Sequence, residues 1–194
     1  SLRLVPIAGF PLLQAEALER QCRLEQIKGA YLGPDCHNPT AGRFTLEQRR
    51  ELARVIKKHG LLCLEDATYS WLDSAPLPPL AALAPELTVY ISTLSNALCP
   101  GLRISFMAAP GRCLGALTEG VANINVMSSP LDLEVAAHLI AGGLAGKLVE
   151  EKRLELEARN RLAESLLPGR LQPAELPGQF RWLDPNTLTY LFDA

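Results

Sequence analysis

Ser92-Thr-Leu-Ser-Asn-Ala-Leu-Cys-Pro-Gly-Leu-Arg103 lies between two apolar, strand-like runs, Leu87-Thr-Val-Tyr-Ile-Ser92 before it and Ile104-Ser-Phe-Met-Ala-Ala-Pro110 after it. Hydroxyls, a Pro-Gly turn and one arginine are concentrated where a buried sheet would end, the usual place for chemistry in an open α/β sheet. The two runs are joined too tightly for a helical crossover, so the spacing predicts an antiparallel pair.

Working outward, Leu2-Arg-Leu-Val-Pro-Ile7 reads as a short strand, with Pro6 marking an edge or an end. Apolar Leu13, Ala17, Leu18 and Cys22 predict a helix over Leu12 to Leu24, and Ile27 to Gly33 a second strand ended by Gly33-Pro34. Thr45 and Gln48 have the spacing of a capping box. The helix they start turns Leu52, Ala53, Val55 and Ile56 inward and Arg49, Arg50, Lys57 and Lys58 outward, and stops at Gly60. Leu61-Leu-Cys-Leu64 is apolar throughout, as a parallel strand covered on both faces should be, and ends in Glu65-Asp66-Ala-Thr-Tyr69.

Pro76 to Pro85 reads as a connector, and Ser129-Pro130 starts a helix that runs to the break Gly142-Gly143-Leu-Ala-Gly146. Lys147 to about Leu166 is a long charged helix with a sparse apolar stripe. Gln179-Phe-Arg-Trp-Leu183 and Leu188-Thr-Tyr-Leu-Phe192 read as the first strands of a small α+β domain. Strands alternating with helices predict an α/β, three-layer α/β/α sandwich with a mostly parallel sheet. The expected organisation is a partial large domain over 1–146, then a bridging helix and the start of a small domain over 147–194.

The chain has 194 residues, 48% hydrophobic and 21% charged, which describes a globular domain with a real core. A formal net charge of -2 gives this segment no basis for binding a phosphate backbone. The five cysteines (22, 36, 63, 99, 113) are odd in number and widely spaced. They form neither a disulfide framework nor a metal-ligand pattern, which points to a reducing cytoplasm. No apolar run approaches 18 residues, so no membrane partner is expected. The first residue is not Met and the chain opens directly on a strand-like run, which reads as a piece of a longer protein.

Three clusters carry candidate chemistry. Asp66 ends an apolar strand three residues before Tyr69; alone, such an aspartate is as often a turn residue. Asn38-Pro39-Thr40 lies one strand earlier and alone is an ordinary turn. Thr93, Ser95 and Arg103 offer two hydroxyls and a planar bidentate fork suited to phosphate, although hydroxyls at a strand end also cap backbone. His37 has no recognisable partner and reads as a bystander, Glu65 as a supporting acid, and Trp71 and Trp182 as packing residues.

Taken in order, these clusters resemble the active site of fold-type I pyridoxal-phosphate enzymes. The nearest variant is the MocR group of GntR-type transcription regulators, whose segment reads Ser-Phe-Ser-Lys-x-Leu-x-Pro-Gly-Leu-Arg. The resemblance covers nearly the whole chain, including a Leu-x-x-Leu-Ala-Pro connector and Ser-Pro-Leu before a helix. It implies pyridoxal 5'-phosphate as cofactor, with Asp66 on the pyridine nitrogen and Asn38 and Tyr69 on the ring oxygen. It also implies Thr93, Ser95 and Arg103 on the phosphate.

At the position of the family's imine-forming lysine stands Asn96, and Leu94 and Ser105 replace the usual aromatic and glycine. An amide nitrogen is not nucleophilic and cannot form an imine or shuttle a proton. The resemblance therefore implies a catalytically impaired effector-sensing domain, homodimeric, with an amino acid or amine as effector. DNA would be contacted only through a winged helix upstream of Ser1. Two alternatives stay open: a piece of a free-standing class I/II aminotransferase, and a non-catalytic interaction domain that no longer binds the cofactor.

Overall fold

The computed structural model describes residues 3–7, 9, 12–173 and 178–183. Helix α1 (Ala15–Leu24) leads into strand β1 (Gly29–Leu32), helix α2 (Leu46–His59) and strand β2 (Leu62–Asp66). A single turn, α3 (Leu80–Leu83), precedes β3 (Thr88–Thr93); the short α4 (Leu94–Ala97) separates β3 from β4 (Ser105–Ala108). Three helices follow: α5 (Gly111–Asn125), α6 (Pro130–Ala141) and α7 (Leu144–Leu166).

The sheet order is β1-β2-β3-β4. β1, β2 and β3 are parallel, with Ala30 opposite Cys63 and Leu64 opposite Val89. β3 and β4 are antiparallel, with Tyr90 opposite Ala108, as the short connection requires.

Leu18 of α1, Leu52, Val55 and Ile56 of α2, Cys63 of β2 and Leu80 of α3 form the main core. Thr45 caps α2 through its hydroxyl, which accepts from the Gln48 amide at 3.2 Å, while the Gln48 side chain accepts from the Thr45 amide at 2.9 Å. Gly60 ends the helix at φ 62°, a left-handed position that glycine fills without a Cβ clash.

Alternation along β2 turns Cys63 and Glu65 into this core, leaving Leu64 and Asp66 on the opposite face. Glu65, fully buried, accepts hydrogen bonds from the amides of Leu80 and Ala81, both at 2.8 Å, and so caps α3. Burial pushes its carboxyl above the usual range, against the pull of those two amides.

Several sequence expectations need correction. Arg49 does not point outward; it is fully buried. Its fork donates to the carbonyls of Phe44 (3.2 Å), Pro34 (3.1 Å) and Pro78 (3.3 Å) and to Asp35 (2.9 Å), which satisfies a charge that burial would otherwise forbid. Residues 3–7 form no strand: Leu4 is 90% exposed and Pro6 has no amide to offer a ladder.

The connector before β3 contains the turn α3, held by Glu65 rather than by local propensity. The sequence reading assigns no element to α5, whose Gly115 and Gly120 dilute the helical pattern. α7 begins at Leu144 because only Gly143, at φ 72°, breaks the chain; Gly146 lies inside the helix. In the expected small domain, Gln179–Leu183 contributes one isolated bridge, Leu171 to Leu183, and Leu188 to Phe192 lies outside the described residues.

Candidate functional site

Parallel strands bring their carboxyl ends to one side, and the loops that leave them carry the candidate residues. After β1, the loop turns through a cis Asn38-Pro39 bond, with the His37 amide on the Gly42 carbonyl (2.7 Å) and the Ala41 amide on the His37 carbonyl (2.7 Å). The His37 ring bonds Thr40 at 2.8 Å, a local contact that suits a bystander.

After β2, Tyr69 hydrogen-bonds the Asn38 side chain, so the two loops meet. Burial raises the Tyr69 hydroxyl above its ordinary value, helped by Cys36 and Asp66 and opposed by Asn38. Its ring meets Phe180 edge-on, with centroids 5.4 Å apart.

Asp66 accepts from Thr68, through both the hydroxyl and the amide (3.0 Å), on one oxygen. The other oxygen accepts from the Tyr31 hydroxyl. Tyr31 stands opposite Leu64, one pleat from Asp66 on the same face. The hydrogen bond to Asp66, with burial second, pushes the Tyr31 hydroxyl up to about 12. A carboxylate has about four acceptor positions, so Asp66 keeps one for a further donor.

β3 ends in Thr93, whose hydroxyl accepts from the Ser95 amide (3.2 Å) and donates to the Ile104 carbonyl (3.0 Å). Ser95 Oγ lies 3.2 Å from the same hydroxyl. Arg103, exposed at φ 51° after the turn Pro100–Leu102, has no partner for its guanidinium among the described residues. A non-glycine residue held left-handed costs about 1 kcal/mol or more. The Thr93 hydrogen is engaged by the Ile104 carbonyl, so the Ser95 hydroxyl and the unengaged Arg103 guanidinium are the donor set for an oxyanion, with Thr93 positioning Ser95. A carboxylate with an open acceptor position, and an amide–phenol pair, are a set for a protonated heterocycle carrying an oxygen. The residues present thus fit pyridoxal phosphate.

Asn96 lies in α4 with its main-chain carbonyl directed at α7 and at the segment 178–180. That carbonyl accepts from Lys152 Nζ and from Gln179 Nε2 (3.3 Å). Sequence reasoning missed Tyr31, Lys152, Gln179 and Phe180. Tyr31 was detectable, since two-residue periodicity puts it on the face of Asp66 once β1 and β2 are paired. The other three come from distant chain and carry no local signal. Trp71 donates to Ser92 Oγ at 2.7 Å, a packing and positioning contact.

The mostly parallel sheet with the helices α1, α2 and α3 packed on one face defines an α/β domain. The family model described as "Aminotransferase class I and II" matches residues 13–192. The chain belongs to that family. It is 38% identical over 184 residues to the HTH-type transcriptional regulator YdeF of Bacillus subtilis, covering 94% of this chain and 40% of that protein. It is 27% identical to 2-aminoadipate transaminase of Thermus thermophilus, over 88% of this chain and 43% of that one.

Among solved structures, LysN of Thermus thermophilus is an α-aminoadipate aminotransferase complexed with N-(5'-phosphopyridoxyl)-L-leucine. It matches with a TM-score of 0.73 and 25% identity over 84% of this chain and 44% of its own. N-succinyldiaminopimelate aminotransferase of Mycobacterium tuberculosis shares the fold, with a TM-score of 0.76 over 96% of this chain and 50% of its own. The chain therefore spans less than half the length of the curated relatives named here. Among the described residues, no helix is long and apolar enough to cross a membrane.

Proposed function

We propose that this chain is part of the aminotransferase-like, effector-sensing half of a GntR-type transcription regulator, and that its strand ends hold pyridoxal phosphate. The observation that carries the reading is the meeting of Asn38 with Tyr69 beside Asp66, in a chain whose family lysine position is Asn96. The greater identity to a regulator than to a transaminase supports the regulatory half of the reading. The proposed division is a cofactor-binding part over 1–146 and a bridging helix with the start of a smaller domain over 147–194.

Bound pyridoxal phosphate would supply an electrophilic aldehyde and an electron-withdrawing ring. Asp66 would hold the proton on the ring nitrogen through its remaining acceptor position. Asn38 and Tyr69 would orient the ring through its oxygen. Ser95 and Arg103 would fix the phosphate by charge-assisted hydrogen bonds, with Thr93 holding the Ser95 turn in place rather than donating itself. Asn96 has no amine to move a proton, so the site is read as binding an amino acid or amine without completing amino-group transfer. Homodimerisation, and DNA contact through a separate upstream domain, belong to the same proposal.

Equilibrium dialysis against pyridoxal phosphate tests it. Saturable binding at one site per chain is expected. Replacing Asp66 by Ala should weaken binding about ten- to a hundredfold, the equivalent of a charge-assisted hydrogen bond of about 1.5–3 kcal/mol. Binding indifferent to Asp66→Ala overturns the site. Amino-group transfer from an amino acid panel to the bound cofactor returns the chain to the enzyme class.

A further inference from the structure

The substitution at 96 removes an amine from the main chain's own position, yet an amine is present there. The chain has five lysines: 28, 57, 58, 147 and 152. Four are exposed, whereas Lys152 is partly buried and its Nζ donates to the main-chain carbonyl of Asn96 itself. The amine therefore sits within one side-chain length of the Cα from which a lysine at 96 would extend.

It also borders the rest of the site. The same carbonyl takes the Gln179 amide at 3.3 Å, and the next residue, Phe180, lies against the Tyr69 ring. α7 is anchored in this position from the neighbouring residue, because Arg153 donates to the carbonyls of Trp71 (2.8 Å) and Asp73 (2.9 Å). Among the described residues, Lys152 is paired with no carboxylate.

We infer that Lys152 supplies from α7 the carbonyl-reactive amine that position 96 has lost, and that it captures an aldehyde bound at the strand ends. The step balances without a further reagent. The ammonium gives a proton to water, the neutral nitrogen adds to the aldehyde carbon, and one water leaves as the carbon–nitrogen double bond forms. The inference rests on the pyridoxal-phosphate reading above. A lysine whose only role is to cap the end of α4 would make the same hydrogen bond, so the hydrogen bond alone does not separate the two roles. Covalent capture does.

The experiment is to incubate the chain with pyridoxal phosphate, reduce with borohydride and map the adduct by peptide mass spectrometry. One adduct per chain is expected, on Lys152, at concentrations that leave the four exposed lysines unmodified. It should fall about tenfold in Arg103→Gly, by loss of the phosphate contact. Lys152→Arg, which keeps a donor for the Asn96 carbonyl and hence the local fold, should abolish it.

Modification of Lys152 no faster than Lys28, Lys57, Lys58 and Lys147 overturns the inference as surface chemistry. If the chain gives no adduct at 152 while Asn96→Lys gains one at 96, the cofactor site stands and the role of Lys152 falls. If neither forms an adduct and dialysis detects no binding, the cofactor reading and the inference fall together.

Discussion

Single residues here divide into those that hold the fold and those that leave a valence open. Glu65 and Asp66 are adjacent, but the pleat sends the first into the core as a cap for α3 and the second to the opposite face with an acceptor position to spare. Arg103 is the clearest case of an unspent group, since it is exposed, left-handed and without a described partner. Arg103→Gly removes the left-handed strain of about 1 kcal/mol, offset by the greater freedom of glycine in the unfolded chain at roughly 0.5–1 kcal/mol. Urea unfolding should therefore find stability within about 1 kcal/mol of the parent, while affinity for pyridoxal phosphate falls about tenfold or more. A matching loss of stability would make Arg103 a structural residue. Asp66, Tyr69 and Asn38 are legible in the sequence as candidates because they close strand-loop motifs a few residues long. Lys152 was not, because 56 residues separate it from the carbonyl it reaches.

At the scale of elements, what the sequence shows well is periodicity and local capping, and what it hides is tertiary support. The Thr45–Gln48 box and the left-handed Gly60 bound α2 as their residue types require. Arg49 was misplaced on charge alone, although its spacing from Leu52, Ala53 and Ile56 already puts it on the buried face. The turn α3 is invisible locally because its cap comes from β2. Replacing Glu65 by Gln leaves one of the two amides without an acceptor, and a buried orphan donor costs about 1–3 kcal/mol. Urea unfolding should show that loss, and an unchanged midpoint would mean that solvent satisfies the turn.

The α1–α2 contact carries a pH dependence. Glu19 is held down at about 2 by hydrogen bonds from Lys58 and then Arg23, against an ordinary value of 4.5. A lowered carboxyl stabilises the fold above its unfolded value and loses that contribution as pH falls through its folded one. The stability advantage of the parent over Glu19→Gln should thus be full at pH 6, shrink below about 4.5 and vanish near 2. An advantage independent of pH across that window would rule out ionisation of Glu19 as its source.

For the whole molecule, the distribution of apolar surface is uneven. One face of the sheet is sealed by α1, α2 and α3, whereas every residue of β4 is exposed and no residue of α5 is buried. Phe106 and Met107 on β4 are each 44% exposed, and Ile124, Val126, Met127 and Leu131 at the α5–α6 junction lie between 63% and 81%. Among the described residues β4 pairs only with β3, so its outer edge offers unpaired amides and carbonyls. An open strand edge and exposed apolar side chains together favour pairing with another chain. The chain covers 40% of the length of YdeF, so in a longer protein this face has further chain available to cover it. For the 194 residues alone, a second copy is the available cover. Light scattering should show mass rising with concentration. Met107→Lys, which places a charge on the open edge strand, should shift the distribution toward monomer without changing pyridoxal-phosphate affinity, because no candidate site residue lies on β4. A monomer at every concentration would mean that neither the edge nor the exposed apolar residues associate, and would remove this chain's support for the proposed homodimer.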